Sequence, residues 1–212
     1  MNILLVAGGS PQQWPDFQKS EYDFFVGIDR GNLYLLEEGI QPNLAVGDFD
    51  SLSEEERQVV FESVEELSTS PAEKDDTDTQ LALVKTFERY PDAEVTIIGA
   101  TGGRLDHLLA NIWLGVEPRF RPYLQQFRLK DRTNTVSYLT SGEHVVSKEL
   151  GMKYLGYCCL TPISELTLKD VKYPLDKVEI LQPTSLASNE FLQNEAKVSF
   201  TSGVIAVIQS QD

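Results

Sequence analysis

The sequence predicts a mixed architecture of an α/β unit with a parallel sheet, followed by an all-β unit built as an antiparallel sandwich or barrel. Three observations carry that expectation. Up to about residue 115, short apolar runs alternate with helical patterns; such alternation gives a parallel sheet with helices on its faces. From about Thr135 the pattern becomes brief β-rich runs broken by Gly, Pro, Ser and Asn, as in sandwiches and barrels. The chain has 212 residues, of which 41% are hydrophobic, enough for two small cores. The expected domains are residues 1–130 and 131–212, with the boundary region near 116–134.

The elements can be taken in order. "NILLVAGG" reads as a buried strand, and "YDFFVGID" as a second that leads into the helical pattern "RGNLYLLEEG". "NLAVGDFD" is a third strand ending in two aspartates. "SLSEEERQVVFESV" opens with Ser53 and Glu56 at capping-box spacing, and "DDTDTQLALVKTFERY" repeats the device with Thr77 and Gln80. Between them "VEEL" is a short run, and "VTIIGA" a further strand. The segment "VEPRFRPYLQQFRLKDRTN" holds two prolines and is open between a connector and a last helix. Beyond it come "TVSYL", "HVVS", "KYLGYCCL", "ELTL", "KVEIL", "AKVSF" and "VIAVI".

Charge narrows the function. With 18 Lys plus Arg against 33 Asp plus Glu, the net charge is -15, so a nucleic-acid backbone is repelled over most of the surface and no nucleic-acid partner is expected. A metal-bound nucleotide stays compatible, because the cation neutralises both parties. Cys158 and Cys159 are adjacent, and on a strand their side chains face opposite ways, which suggests neither a disulfide framework nor a thiolate metal site. No apolar run approaches membrane-span length and the N-terminus lacks a signal-peptide pattern, so a cytoplasmic protein with no membrane contact is expected.

Three acidic clusters carry the chemistry. Asp48 and Asp50 follow "NLAV" at a strand's carboxyl end. In extended chain such i, i+2 neighbours share a face and could hold a hard cation through oxygen; the competing reading has Asp50 or Ser51 simply capping the next helix. In "EKDDTD", Asp75 and Asp78 stand three apart at a helix start, hence on one face, with Asp76 pointing elsewhere and Lys74 beside them. Each of these acids alone is explained by the positive end of a helix dipole. "GATGGRLDHLLANI" follows the apolar run "VTII"; Gly102 and Gly103 would let backbone N–H groups approach an anion at a helix N-terminus. Arg104 could clamp phosphate oxygens there, Asp106 could reach a metal, and His107 reads as structural. Neither the P-loop nor the GxGxxG pattern is present. The glutamates at 54, 55, 56, 62, 65 and 66 read as a solvated helix face. Together the clusters fit Mg2+-dependent phosphoryl chemistry.

"GDFDS", "KDDTD" followed by "LAL", and "GATGGRLDH", in that order, resemble the thiamin pyrophosphokinase family in its bacterial form, and the likeness extends to "DRG" at 29–31, "KYPL" at 172–175 and "SNEF" at 188–191. The resemblance implies an ATP-binding α/β domain, a β domain that binds thiamine, a homodimer with active sites between subunits, and pyrophosphoryl transfer from ATP to the thiamine hydroxyl with release of AMP. It assigns Asp48 and Asp50 to the first acidic motif, Asp75, Thr77 and Asp78 to the second, and Arg104 and Asp106 to the glycine motif. It also assigns Arg30, within a "GIDRG" that departs from the Ala, Asp and Gly-rich form, to nucleotide binding. Ser188 and Asn189 match the thiamine motif, with Phe191 where some relatives carry tryptophan. A metal held by Asp48, Asp50, Asp78 and Asp106, with Lys74 and Arg104 neutralising phosphate charge, makes a strong general base unnecessary. Two other readings remain: an apolar strand entering "DFD" also resembles haloacid-dehalogenase-like phosphatases, and the chain could be a non-catalytic nucleotide- or vitamin-binding module.

Overall fold

A computed structural model describes residues 1–69 and 76–212. It contains two compact units: Met1–Asn111 with Leu129–Arg132, and Ile112–Arg128 with Thr133–Asp212.

The first unit is built on β1 (Asn2–Val6), β2 (Phe24–Ile28), β3 (Leu44–Gly47), β4 (Glu66–Thr69) and β5 (Glu94–Ile98), which pair in parallel in the order β5-β1-β2-β3-β4. All five residues of β2 and the last four of β1 and β5 are buried. These strands are apolar runs without alternation because the sheet is covered on both faces. The helices are α1 (Gly31–Glu37), α2 (Glu54–Ser63), α3 (Asp78–Arg89) and α4 (Leu105–Trp113). Both expected capping boxes form: Ser53 with Glu56 opens α2, and Thr77 with Gln80 opens α3. In α3 the buried set Thr79, Ala82, Leu83, Thr86 and Phe87 follows the helical period and turns one stripe inward. β6 (Phe127–Lys130) lies beside β5.

The chain runs outward from β1 through β2, β3 and β4, then returns to place β5 on the other side of β1. The loops leaving β1 and β5 therefore part in opposite directions. A crevice opens between them at the carboxyl ends of the strands, where such sheets bind ligands.

The segment left open in the sequence is neither a plain connector nor an α-helix. It forms 3-10 turns at Leu114–Val116 and Pro118–Tyr123 and then enters β6. Pro118 and Pro122 lack the N–H that a continuing helix needs.

The second unit is antiparallel throughout: β7 (Asn134–Ser147), β8 (Tyr154–Cys159), β9 (Ile163–Lys169), β10 (Leu175–Ile180), β11 (Thr184–Glu190) and β12 (Glu195–Ser210). β12 pairs along its length with β7, while its other edge meets β9 through Lys197–Ser202 and β8 through Ile205–Ser210. The pairing with β7 is irregular between Phe200 and Val204, where Gly203 has φ 107°. One strand thus serves two partners along a single edge. "TVSYL" and "HVVS" are the two halves of β7, and "AKVSF" and "VIAVI" those of β12. Leu155, Tyr157, Leu166, Val198 and Ile205 form the centre of its core.

Candidate active site

Asp29 follows β2, Asp48 follows β3 and Asp78 opens α3. Each offers a carboxylate oxygen lying within 4.8 Å of the other two. Residues almost fifty positions apart in the chain therefore share one point at the carboxyl edge of the sheet.

Local backbone explains which acids reach it. Gly47 has φ 147°, and a Cβ there would come 2.0 Å from Asp29 Oδ1. The carboxylate occupies the space that a side chain would fill. Phe49 sits at φ 59° with its ring buried, 1% exposed, edge-on to Phe61 at 5.1 Å. Its N–H donates to Asp29 Oδ1 at 3.2 Å, and its carbonyl accepts from Arg57 at 3.1 Å.

That left-handed turn corrects the expectation for Asp50. The chain is no longer extended after Gly47, so i and i+2 do not share a face. Asp50 is exposed outside the triad; its N–H donates to Asp48 Oδ1 at 3.0 Å, as in a turn. Asp29 stands in the triad instead. The signal for it was the same as for Asp48, an acid ending a buried strand in "FFVGID".

Electrostatics mark Asp29 as well. Burial raises its carboxyl to about 7, reinforced by the charge of Asp78 and opposed by the Phe49 N–H. Three mutually repelling carboxylates in so small a volume, all hard oxygen donors without sulfur or nitrogen, fit Mg2+ by the chemistry of the donor set.

The triad forms one wall of a cleft of about 590 Å³. The lining also includes Gly8 and Gly9 after β1, and Gly99, Ala100, Gly102 and Gly103 after β5. Gly102 and Gly103 have φ of 76° and 70° with nothing within 4 Å of a built Cβ, so conformation rather than crowding calls for glycine there. Gly9 is different: a Cβ would meet the Gly99 carbonyl oxygen at 2.4 Å, and its N–H donates to that oxygen at 2.8 Å.

The remaining expected residues divide. Thr77 lines the cleft and caps α3, accepting from the Gln80 N–H at 3.2 Å. Asp76, expected to point away, lines the cleft too, because the helix begins only at Asp78 and residue 76 lies before the cap. Arg104 lines it and forks onto Asp106 at 2.6 Å, with side chains 71% and 63% exposed. The Arg104 guanidinium holds the Asp106 carboxyl below the usual carboxylate range. Asp106 therefore faces a cation on its own turn and does not join the triad. Arg30 lines the cleft, but its guanidinium is forked on Glu56 at 3.2 Å and also donates to the Ser51 carbonyl. His107 and Asn111 reach the cleft from α4. Lys74 and Asp75 lie outside the described residues.

In the second unit the expected thiamine motif ends β11. Ser188, at φ 63°, lines a shallow cleft of about 420 Å³ between β8, β11 and β12. Asn189 is 4% exposed and turned inward. Its Oδ1 accepts from the Tyr173 N–H at 3.0 Å and the Glu190 N–H at 2.9 Å, while Nδ2 donates to the Tyr173 carbonyl at 3.0 Å. The Phe191 ring packs against the β core. Tyr173, whose backbone Asn189 holds, is 57% exposed, with the Lys172 ammonium 5.6 Å from its ring centroid, so the more exposed aromatic ring near this motif is tyrosine and not Phe191.

Acidic residues and glycine turns lining one cleft at the switch point of a parallel sheet define a class: α/β proteins equipped to hold a polyphosphate with a divalent cation. The comparisons make this specific. A family model for "Thiamin pyrophosphokinase, catalytic domain" matches residues 18–124, and one for "Thiamin pyrophosphokinase, vitamin B1 binding domain" matches residues 143–205. A curated thiamine pyrophosphokinase from Bacillus subtilis (strain 168) is 37% identical over 99% of both chains. Among solved structures, a thiamin pyrophosphokinase family protein from Enterococcus faecalis superposes with a TM-score of 0.97 at 57% identity over all of both chains. A Bacillus subtilis thiamine pyrophosphokinase gives 0.84 at 34%, again over all of both chains. The chain belongs to the thiamin pyrophosphokinase family. Neither the phosphatase nor the non-catalytic alternative gains support from these relatives.

Proposed function

We propose that this protein transfers the pyrophosphoryl group of ATP to the hydroxyl of thiamine, giving thiamine diphosphate and AMP. The observation that carries the reading is that the Asp29, Asp48 and Asp78 triad and the glycine turns line one cleft. Similarity to thiamine pyrophosphokinases over both units supports the choice of substrates.

ATP lies with its phosphates along the N–H groups of Gly102 and Gly103. Arg104, fixed by Asp106, neutralises phosphate oxygens, and Lys74 of the acidic sequence motif adds a further positive charge. Asp29, Asp48 and Asp78 would hold Mg2+, which supplies neutralisation of charge on the phosphate oxygens. Asp50, through its N–H, fixes the Asp48 carboxylate. Thr77 caps α3, whose N-terminal dipole favours a bound anion nearby, and Asp75 belongs to the same acidic sequence motif. Arg30, forked on Glu56, closes the cleft beside α1. The thiamine hydroxyl attacks the β-phosphorus in line as AMP leaves, so positioning and charge neutralisation outweigh proton removal. None of the residues needs to be a strong base.

Thiamine carries a cationic thiazolium, which a net-negative protein attracts. The exposed Tyr173 ring offers an aromatic surface to a flat heterocycle, Asn189 holds the Tyr173 backbone, and Ser188 offers a hydroxyl. Phe191 supports the site from beneath as core. The protein acts in the cytoplasm as a homodimer whose subunits complete each other's thiamine sites; no described helix is long and apolar enough to cross a membrane.

One incubation tests the reading: purified protein with ATP, Mg2+ and thiamine, products separated by chromatography. Thiamine diphosphate and AMP in equal amounts are expected. Orthophosphate without AMP, or no product, refutes it.

A further inference from the structure

Behind the glycine wall lies a contact that the reaction as described does not use. Thr101 sits in the turn whose neighbours Ala100, Gly102 and Gly103 line the cleft, yet Thr101 itself does not line it. Its hydroxyl donates to Asp131 Oδ2 at 2.6 Å. Asp131 is only 8% exposed and follows β6, thirty residues along the chain, within the segment Leu129–Arg132 that folds back into the α/β unit. The next residue is tied down as well, since the Arg132 N–H donates to the Gln13 carbonyl at 2.8 Å.

We propose that Asp131 is a positioning residue for the nucleotide: through Thr101 it fixes the turn that presents the Gly102 and Gly103 N–H groups. This rests on the ATP-binding role proposed for that wall. Glycines in the left-handed region have the widest choice of alternative conformations, so a turn holding two of them needs external restraint to keep its donors aimed at one place. The restraints fall at successive residues. Gly99 is bound through its carbonyl by Gly9, Ala100 through its carbonyl by Asn111 Nδ2 at 2.8 Å, and Thr101 through its hydroxyl by Asp131. The Thr101 link is the last before the free glycines and uses an almost fully buried carboxylate, the strongest kind of acceptor for a hydroxyl. A preorganised cradle loses less freedom when the anion arrives, so the link should act on nucleotide affinity and leave thiamine alone.

The test uses the intact protein and four variants, Thr101→Val, Thr101→Ser, Asp131→Ala and Asp131→Asn. Binding of ATP with Mg2+ is measured by calorimetry, and KM for ATP and for thiamine by steady-state kinetics. Thr101→Val and Asp131→Ala should each weaken ATP binding and raise its KM by about tenfold, the scale of one buried hydrogen bond to a charged group. KM for thiamine should stay within about twofold, because the donors held by this link are the ones proposed to meet the nucleotide phosphates. Thr101→Ser and Asp131→Asn, which keep donor and acceptor, should stay within about threefold of the parent, and the double variant should be no worse than either single one. If Thr101→Val binds ATP as the parent does, or if both KM values rise together, the proposal is overturned; Thr101→Val preserves side-chain shape and gives this answer even where Asp131→Ala does not fold. Should the parent bind ATP but yield no AMP with thiamine, the proposed reaction fails while the calorimetric comparison still decides the positioning role.

Discussion

Replacing Asp29 by asparagine should make the metal-free protein more stable and the enzyme inactive. The three carboxylates lie within 4.8 Å of one another. At an effective dielectric constant of about 20, each fully ionised pair at that spacing repels by roughly 3.5 kcal/mol. Burial and this repulsion raise the Asp29 carboxyl from 3.8 to about 7. A shift of roughly three units corresponds to about 4 kcal/mol at most; the site opens on a cleft, and screening there reduces the realised figure to roughly 1–2 kcal/mol. The sign follows from proton binding. The folded state holds this proton more tightly than the unfolded chain, so the contribution is fully present below about pH 4 and is lost as pH rises toward about 7. Asparagine keeps the oxygen that accepts the Phe49 N–H and carries no charge. Calorimetric melting in chelator at pH 8 should show the α/β transition of Asp29→Asn raised by roughly 2–8 °C, at about 2–4 °C per kcal/mol for a chain of this size. The parent alone should lose stability between about pH 4 and 7. Adding Mg2+ should raise the melting temperature of the parent and not of the variant. A variant less stable than the parent in chelator at pH 8 would refute the reasoning, because it would mean the carboxylates are not mutually strained.

Other outcomes follow from the same geometry. Gly47→Ala should cut turnover at least about a hundredfold, the loss of a transition-state electrostatic contact, since its Cβ would lie 2.0 Å from Asp29 Oδ1; a variant with parental kcat contradicts this. Tyr173→Ala should raise KM for thiamine by about tenfold, the value of a ring stacking against a cationic heterocycle, and leave KM for ATP unchanged. Asn189→Ala frees the Tyr173 backbone and should reproduce that selective effect, whereas Phe191→Leu should change stability more than KM. Thr77→Ala removes the α3 cap and should lower stability by about 1 kcal/mol, read by urea unfolding of the α/β unit.

Much of this was legible in the sequence because the strongest signals were local. Buried parallel strands show as unbroken apolar runs, and both capping boxes are four-residue patterns, so β1, β3, α2 and α3 could be read directly. Asp48 and Asp78 stood out because each breaks an apolar or capping context with a carboxylate. Asp50 misled because the alternation rule assumes an extended chain, and nothing local announces that Phe49 takes a positive φ to bury its ring. Asp29 carried the same local signal as Asp48, an acid ending a buried strand, but its place in the triad depends on β2 lying next to β3 and on Gly47 leaving room. β11 went unread as a strand because "TSLASNE" is exposed at alternate positions and carries few apolar residues. The inward turn of Asn189 rests on Tyr173, a partner sixteen residues away that no periodicity connects to it.

The most direct measurement is a crystal structure with Mn2+ in place of Mg2+ and a non-hydrolysable ATP analogue, with the metal located by its anomalous signal. The peak should lie within about 2.0–2.3 Å of oxygens from Asp29, Asp48 and Asp78 and of the analogue's phosphates, with the Gly102 and Gly103 N–H groups on the same polyphosphate. A metal bound instead by Asp50 or Asp106, with the triad empty and the phosphates away from the glycine turn, would contradict the shared cation at the carboxyl edge of the sheet.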